Sequence, residues 1–309
     1  MNLELAAVAL VVGAVVGLTG MGGGALMTPI LVLVFGVPPL TAVSSDMVAS
    51  AVMKPVGSWV HWRRGTVMWP VARLLIWGSV PAAILGSIAA HFLGGHDGAD
   101  GPIRLALGAV LVVAAFGLAA RAWIGVSQRR RIAGSLLQTT RDAEVTIMRP
   151  IATVTIGAVG GFVVGLTSVG AGSLIIVALL VLYPTLRPSQ LVGTDLVQAV
   201  PLVLAAAISH VWLGGVDWGV AVPVMLGAIP GTYLGARLAT RWRGGLVRRA
   251  LALVLLVSGL ELLGLPHELV AVVGSLALVG GSVASVLVRR RFGSTQDGPQ
   301  PTAVRNRGG

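Results

Sequence analysis

"GLTGMGGGALMTP", Gly17 to Pro29, places five glycines within eight residues directly after an apolar run with the character of a helix. Each glycine in a helix interior costs about 1 kcal/mol relative to alanine, so the run breaks here, and a new apolar run starts at Ala25. In a wetted surface loop such a break costs little. Here both flanking segments are too apolar to face water, so the freed N–H and C=O groups must find partners within protein or line a watery cavity. The solvent around the chain therefore decides how the stretch is read.

Composition identifies that solvent. Of 309 residues, 55% are hydrophobic and 11% charged, whereas soluble domains carry about 25% charged residues. The mean hydropathy is +0.91. Nine apolar runs are close to the length of a bilayer-spanning helix: Leu3–Thr19, Val43–Val60, Val67–Phe92, Ile103–Ile124, Ile151–Thr167, Leu191–Leu213, Trp218–Ala239, Leu246–Leu263 and Leu269–Val288. Ala25–Val37 and Ser173–Tyr183 are shorter. The sequence is that of an all-α polytopic membrane protein. "MNLELA" has no basic n-region, so the first helix is expected to stay in the mature protein.

The net charge of +11 falls in clusters, at Arg63–Arg64, Arg121–Arg149, Arg237–Arg249 and Arg289–Arg307. Acidic loops hold Asp97 with Asp100, Asp217 and Glu268. Alternation along a membrane chain is the positive-inside pattern, and it accounts for the charge without nucleic acid as a partner. It predicts an external N-terminus and a cytoplasmic C-terminus in a cell (inner or plasma) membrane. Trp59, Trp62, Trp69, Trp212 and Trp218 flank the same loops as interfacial anchors. No cysteine is present, and no catalytic, metal-binding or cofactor motif is found.

The chain also repeats itself. An offset of 148 residues aligns "GAVVGLTGMGGG" with "GFVVGLTSVGAG", and an offset of 149 then pairs Asp46 with Asp195, His61 with His210, Trp69 with Trp218 and Pro81 with Pro230. The loop after His61 is basic and the loop after His210 acidic, so the halves are predicted to lie inverted in the bilayer. Residues 1–124 form the first transmembrane repeat, 125–149 a cytoplasmic linker, and 150–264 the second repeat. An extra C-terminal transmembrane helix spans 265–291, and 292–309 is a polar tail expected to be disordered and cytoplasmic. Each repeat has five helical segments, with glycine-broken short helices. Inverted repeats with broken helices are a transporter architecture, with substrate held near the midplane.

In each half the glycines precede a short helix whose free N–H groups favour an anion. The candidate substrate-binding residues are Thr19, Gly20, Gly22, Gly23 and Gly24 in the first half, and Thr167, Ser168, Gly170 and Gly172 in the second. Close helix packing is the other use of glycine, and it is expected at Gly157/Gly161/Gly165 and Gly227/Gly231/Gly235. Asp46 and Asp195 are either caps in a first helical turn or protonatable acids that couple proton flow to the anion. His61 and His210 are gates, proton carriers or donors to a carbonyl. Lys54, near the middle of its apolar run and opposite Val203 in the repeat, faces an anion, snorkels or pairs with Asp195.

The duplicated "GLTGMGGG" and "GLTSVGAG", with "GTDLVQAVPLVLAAAISHVWLGGVDW" and "GAIPGTYLGARLA", resemble the TauE/SafE sulfite exporter family over roughly Leu5 to Leu263. The resemblance implies transport of sulfite, a sulfonate or a related small organosulfur anion without ATP hydrolysis. The expected partners are that anion, the lipid bilayer and a coupling proton or ion. An anion channel or a structural membrane protein is the alternative.

Overall fold

A computed structural model describes residues 3–19, 23–94, 101–135, 148–170, 172, 174–186, 188–238 and 245–293. They form eleven α-helices and no strand: α1 (Leu3–Thr19), α2 (Gly24–Leu33), α3 (Pro39–Arg63), α4 (Trp69–Gly94), α5 (Gly101–Ser135), α6 (Pro150–Thr167), α7 (Leu174–Leu182), α8 (Pro188–Trp212), α9 (Trp218–Leu238), α10 (Gly245–Leu262) and α11 (His267–Gly293). Each apolar run corresponds to one helix. α5 continues beyond residue 124 to Ser135, so the first part of the expected linker is helical. Most of the expected tail lies outside the described residues.

Among the described residues five segments are long and apolar enough to cross a membrane: Trp69–Gly94, Gly101–Ala120, Pro150–Thr167, Ser189–Trp212 and Trp218–Gly235. α3 has 25 residues and is not one of them. It buries Ser44, Ser45, Asp46, Ser50, Lys54 and Ser58, which lower its mean hydropathy.

At the closest helix contacts small residues fill the interface, as expected where lipid is as apolar as leucine. α4 buries Ala72, Gly78, Ser79, Ala83, Gly86, Ser87 and Ala90 while Trp77, Ile84 and Leu85 are exposed. Glycines set its contact with α6. A Cβ placed on Gly157, Gly161 or Gly165 would fall 2.6, 2.2 or 2.1 Å from the carbonyl oxygens of Leu75, Ser79 and Ala83. The register advances in the same sense on both helices, so α4 and α6 run parallel. α1 and α9 meet likewise, with Gly227, Gly231 and Gly235 against the carbonyls of Ala6, Leu10 and Ala14. The packing role expected for both glycine rows is what the structure shows.

The second break folds back on itself. Tyr183, just after α7, reaches the start of α6, where its hydroxyl lies 2.6 Å from Thr153 Oγ1 and accepts from Arg149 N at 3.2 Å. The chain thus returns to the side where α6 began. α7 has nine residues, or about 13 Å at 1.5 Å per residue, under half of a hydrocarbon core. The returning leg is therefore part helix and part non-helical backbone.

Candidate functional site

α3 and α8 cross in opposite directions. Ser44, near the start of α3, meets His210 near the end of α8, while Lys54, further along α3, is attracted by Asp195, near the start of α8. The two aspartates are the buried carboxylates among the described residues, at 0% and 1% exposure. Both lie about 10 Å from the start of their helices, at 1.5 Å per residue, and the antiparallel crossing places them at different depths.

Asp46 sits where the two breaks touch. Its Oδ2 accepts from Ser168 Oγ at 2.5 Å and from Thr28 Oγ1 at 3.3 Å. Ser168 caps α6 in the left-handed region, with φ 59°, and its N–H donates to the Val164 carbonyl at 2.7 Å. Such a conformation favours glycine, and the repeat counterpart of Ser168 is indeed Gly20. A serine is held here at a cost in strain, and its hydroxyl reaches a carboxylate of the other half. Gly24 permits the meeting, since a Cβ on it would lie 1.9 Å from the Ser168 carbonyl oxygen.

Asp195 has different company. Gln198 Nε2 donates to its Oδ1 at 3.2 Å, and Ser79 Oγ donates to Gln198 Oε1 at 3.1 Å. Of the two carboxylates that attract buried Lys54, Asp195 has the greater influence and Asp46 the lesser. Lys54 thus feels both carboxylates, Asp195 more than Asp46, which lies about 12 Å back along α3 at 1.5 Å per residue.

The remaining predicted residues separate by role. Thr19 and Thr167 each donate to a carbonyl four residues back, at 2.9 and 2.7 Å, so their protons are committed to their own helices. Gly23, the N-cap of α2, opens a notch toward Ser50 Oγ, Met53 and Asp46 Oδ1. Gly170 has φ +114° and so needs to be glycine, and Gly172 lies half-buried in the turn before α7. Gly20 and Gly22 lie outside the described residues.

Both histidines are held by hydroxyls, through one reciprocal contact. Thr66 Oγ1 donates to the His61 carbonyl at 3.1 Å and therefore accepts from His61 Nδ1 at 3.1 Å. The Thr66 hydroxyl also lies against Gly193. In the equivalent place Ser44 supplies the hydroxyl and Gly215 the space. Ser44 Oγ lies 2.9 Å from His210 Nδ1, and His210 Nε2 donates to the Gly165 carbonyl at 2.9 Å. Residues 44 and 193, and likewise 66 and 215, are repeat partners. The hydroxyl thus comes from opposite members of one contact. His210→Phe would leave the Ser44 hydroxyl without this partner and weaken the binding of the Gly165 carbonyl, costing about 1–3 kcal/mol. Thermal unfolding in detergent should shift down accordingly. A histidine serving only as a gate would leave the transition in place.

Thr28, Ser44, Ser50, Ser79 and Gln198 escape motif reasoning, although a signal for some of them is present. Asp46, Ser50, Lys54 and Ser58 recur every four residues, which draws a polar stripe along α3. The second half has Asp195, Ala199, Val203 and Ala207 at the same positions. A cavity of about 650 Å³ lies elsewhere, between α5, α6 and α7, and is lined mostly by apolar side chains such as Phe116, Leu174 and Val181.

Helices long and apolar enough to cross a bilayer, with charged groups buried among them, define a multi-pass membrane protein of the transporter class. Residues 5–262 match the family model described as "Sulfite exporter TauE/SafE", and the chain belongs to that family. It is 37% identical over 264 residues to "Probable membrane transporter protein YjnA" of Bacillus subtilis (strain 168), covering 85% of this chain and 100% of the relative. "Probable membrane transporter protein YdhB" of the same organism is 25% identical over 251 residues, 81% of this chain and 96% of the relative. A "Probable membrane transporter protein" of Xylella fastidiosa (strain 9a5c) is 28% identical over 252 residues, 79% of this chain and 88% of the relative. No solved structure gives a significant match.

Proposed function

We propose that this protein is a secondary carrier for a small anion of the sulfite or sulfonate class, held between the two glycine breaks and the crossing of α3 with α8. The observation that carries the reading is Lys54, a buried cation on the polar stripe of α3, on the helix that also supplies Asp46 beside the Gly23–Gly24 break. A lysine near mid-membrane costs roughly 3 kcal/mol on insertion scales, and such residues mark substrate pathways. The family description names sulfite, which supports the anion class.

Proteoliposomes loaded with sulfite or a simple alkanesulfonate test the reading. Uptake should saturate, and unlabelled anion on the far side should accelerate it by exchange. A flux that rises linearly with concentration, or the movement of neither anion, would sink the carrier reading. Topology forms part of the proposal, with the region 128–149 cytoplasmic and the N-terminus external. Because the chain has no cysteine, Ser135→Cys provides a single label site. It should resist an impermeant thiol reagent in intact cells and react in inverted vesicles, and labelling of intact cells would reverse the assignment.

A further inference from the structure

We infer that the two buried aspartates divide the work: Asp46 takes up and releases a proton that travels with the anion, whereas Asp195 remains the ionised counter-charge of Lys54. This rests on the carrier reading and names its coupling.

The difference lies in the partners. Asp195 accepts from Gln198, which Ser79 in turn holds, and it is the carboxylate with the greater influence on Lys54. Asp46 has hydroxyl donors on Oδ2 alone. Among the described residues its Oδ1 is buried without a hydrogen-bond partner, and so is Ser50 Oγ. Both atoms border the same notch. A Cβ on Gly23 would lie 3.8 Å from Asp46 Oδ1 and 3.5 Å from Ser50 Oγ. An ionised carboxylate buried with one oxygen bare is costly. A proton on Oδ1 removes the charge and creates a donor, with Ser50 Oγ, one helical turn on, as a neighbouring acceptor. The proton passes from water to Oδ1 and back, so no other group need be oxidised or reduced.

The surroundings favour exchange at Asp46. Lys54, His61 and Arg63 are the other titratable or charged groups of α3 in its buried part and last turn, and α8 contributes Asp195 and His210. α2 carries no charged side chain, and Asp217 at the head of α9 reaches Ser45 only through its carbonyl, at 3.3 Å. His91 lies toward the end of α4, near His210. None of these is bonded to Asp46 Oδ1. Anion and carboxylate charge repel, so the anion and the proton bind in mutual support. Proton and anion then cross together.

Two measurements decide the matter, and one of them involves no anion. Infrared difference spectra of the bilayer-embedded protein across a pH titration should show a buried carboxylic-acid carbonyl band. The band should vanish in Asp46→Asn and persist in Asp195→Asn, and its persistence in Asp46→Asn would overturn the inference. In proteoliposomes, an alkanesulfonate that stays ionised throughout should accumulate on the alkaline side of a pH gradient. Asp46→Asn should lose the response to the gradient, so that its uptake is the same with and without the pH difference. A wild-type protein that exchanges sulfonate but ignores the gradient would refute the coupling and leave the carrier reading intact. Failure to move any anion, with the band present, would refute the carrier reading instead. Gly23→Ala adds a second variant, because its methyl displaces only the flexible end of Met53, 2.9 Å away. It should slow the gradient-driven rate several-fold without loss of folded protein, and an unchanged rate would argue against the notch as the proton's entry.

Discussion

Lys54→Met is expected to cut anion uptake about 5- to 50-fold at substrate concentrations that half-saturate the wild type. A hydrogen bond to a charged group contributes about 1.5–3 kcal/mol, so its loss weakens binding by about 10- to 100-fold. Lys54→Arg should retain part of the affinity, since it keeps the charge but alters the reach. Lys54→Met also removes a buried cation that Asp195 attracts. Breaking a buried pair from one side typically costs about 3–5 kcal/mol, so the single variant should be less stable as well as impaired in transport. Lys54→Met combined with Asp195→Asn separates the two effects, because neutralising both partners removes the stranded charge. The double variant should regain thermal stability and remain impaired in transport. If it regains transport, Lys54 serves only to balance Asp195 and does not meet the anion.

The other large effect is expected where the helices touch most closely. Gly161→Val places a Cβ 2.2 Å from the Ser79 carbonyl oxygen, and the next nearest atoms are also Ser79 backbone. Backbone cannot move aside as a side-chain end can, so α4 and α6 must separate along their length. Overpacking of this kind costs about 1–3 kcal/mol, occasionally more, and here it also shifts Ser79, which holds Gln198 against Asp195. Thermal unfolding should move well down, and transport should fall even in protein that remains folded. Gly101→Ala is the control, since nothing lies within 4 Å of a Cβ there. Equal stability of Gly161→Val and wild type would show that the approach is not close in the bilayer.

The same comparison separates two kinds of glycine that look alike in sequence. Gly161 and Gly24 face backbone, and a side chain there pushes helices or breaks apart. Gly23 faces the tip of Met53 and two polar atoms. Only at Gly23 does a small substitution test chemistry more than packing.

The sequence by itself determined the order of the described helices, because each apolar run favours helix and each glycine cluster interrupts it. It also determined the duplication, since Asp46/Asp195 and His61/His210 are too rare in membrane helices to coincide by chance, and it marked the four-residue glycine rows as contact faces. What it could not determine was which residues of the two halves meet. Periodicity reports the face of a helix, not the neighbour that face will have. Only the antiparallel crossing of α3 and α8 brought Lys54 under the influence of Asp195. Only the fold brought Ser168 of one break onto Asp46 of the other half. The equivalent histidines look interchangeable in the chain, yet one takes its hydroxyl from its own loop and the other from the opposite repeat. A duplicated sequence specifies two similar surfaces. Where they press together a single shared space is left, and one side chain fills it.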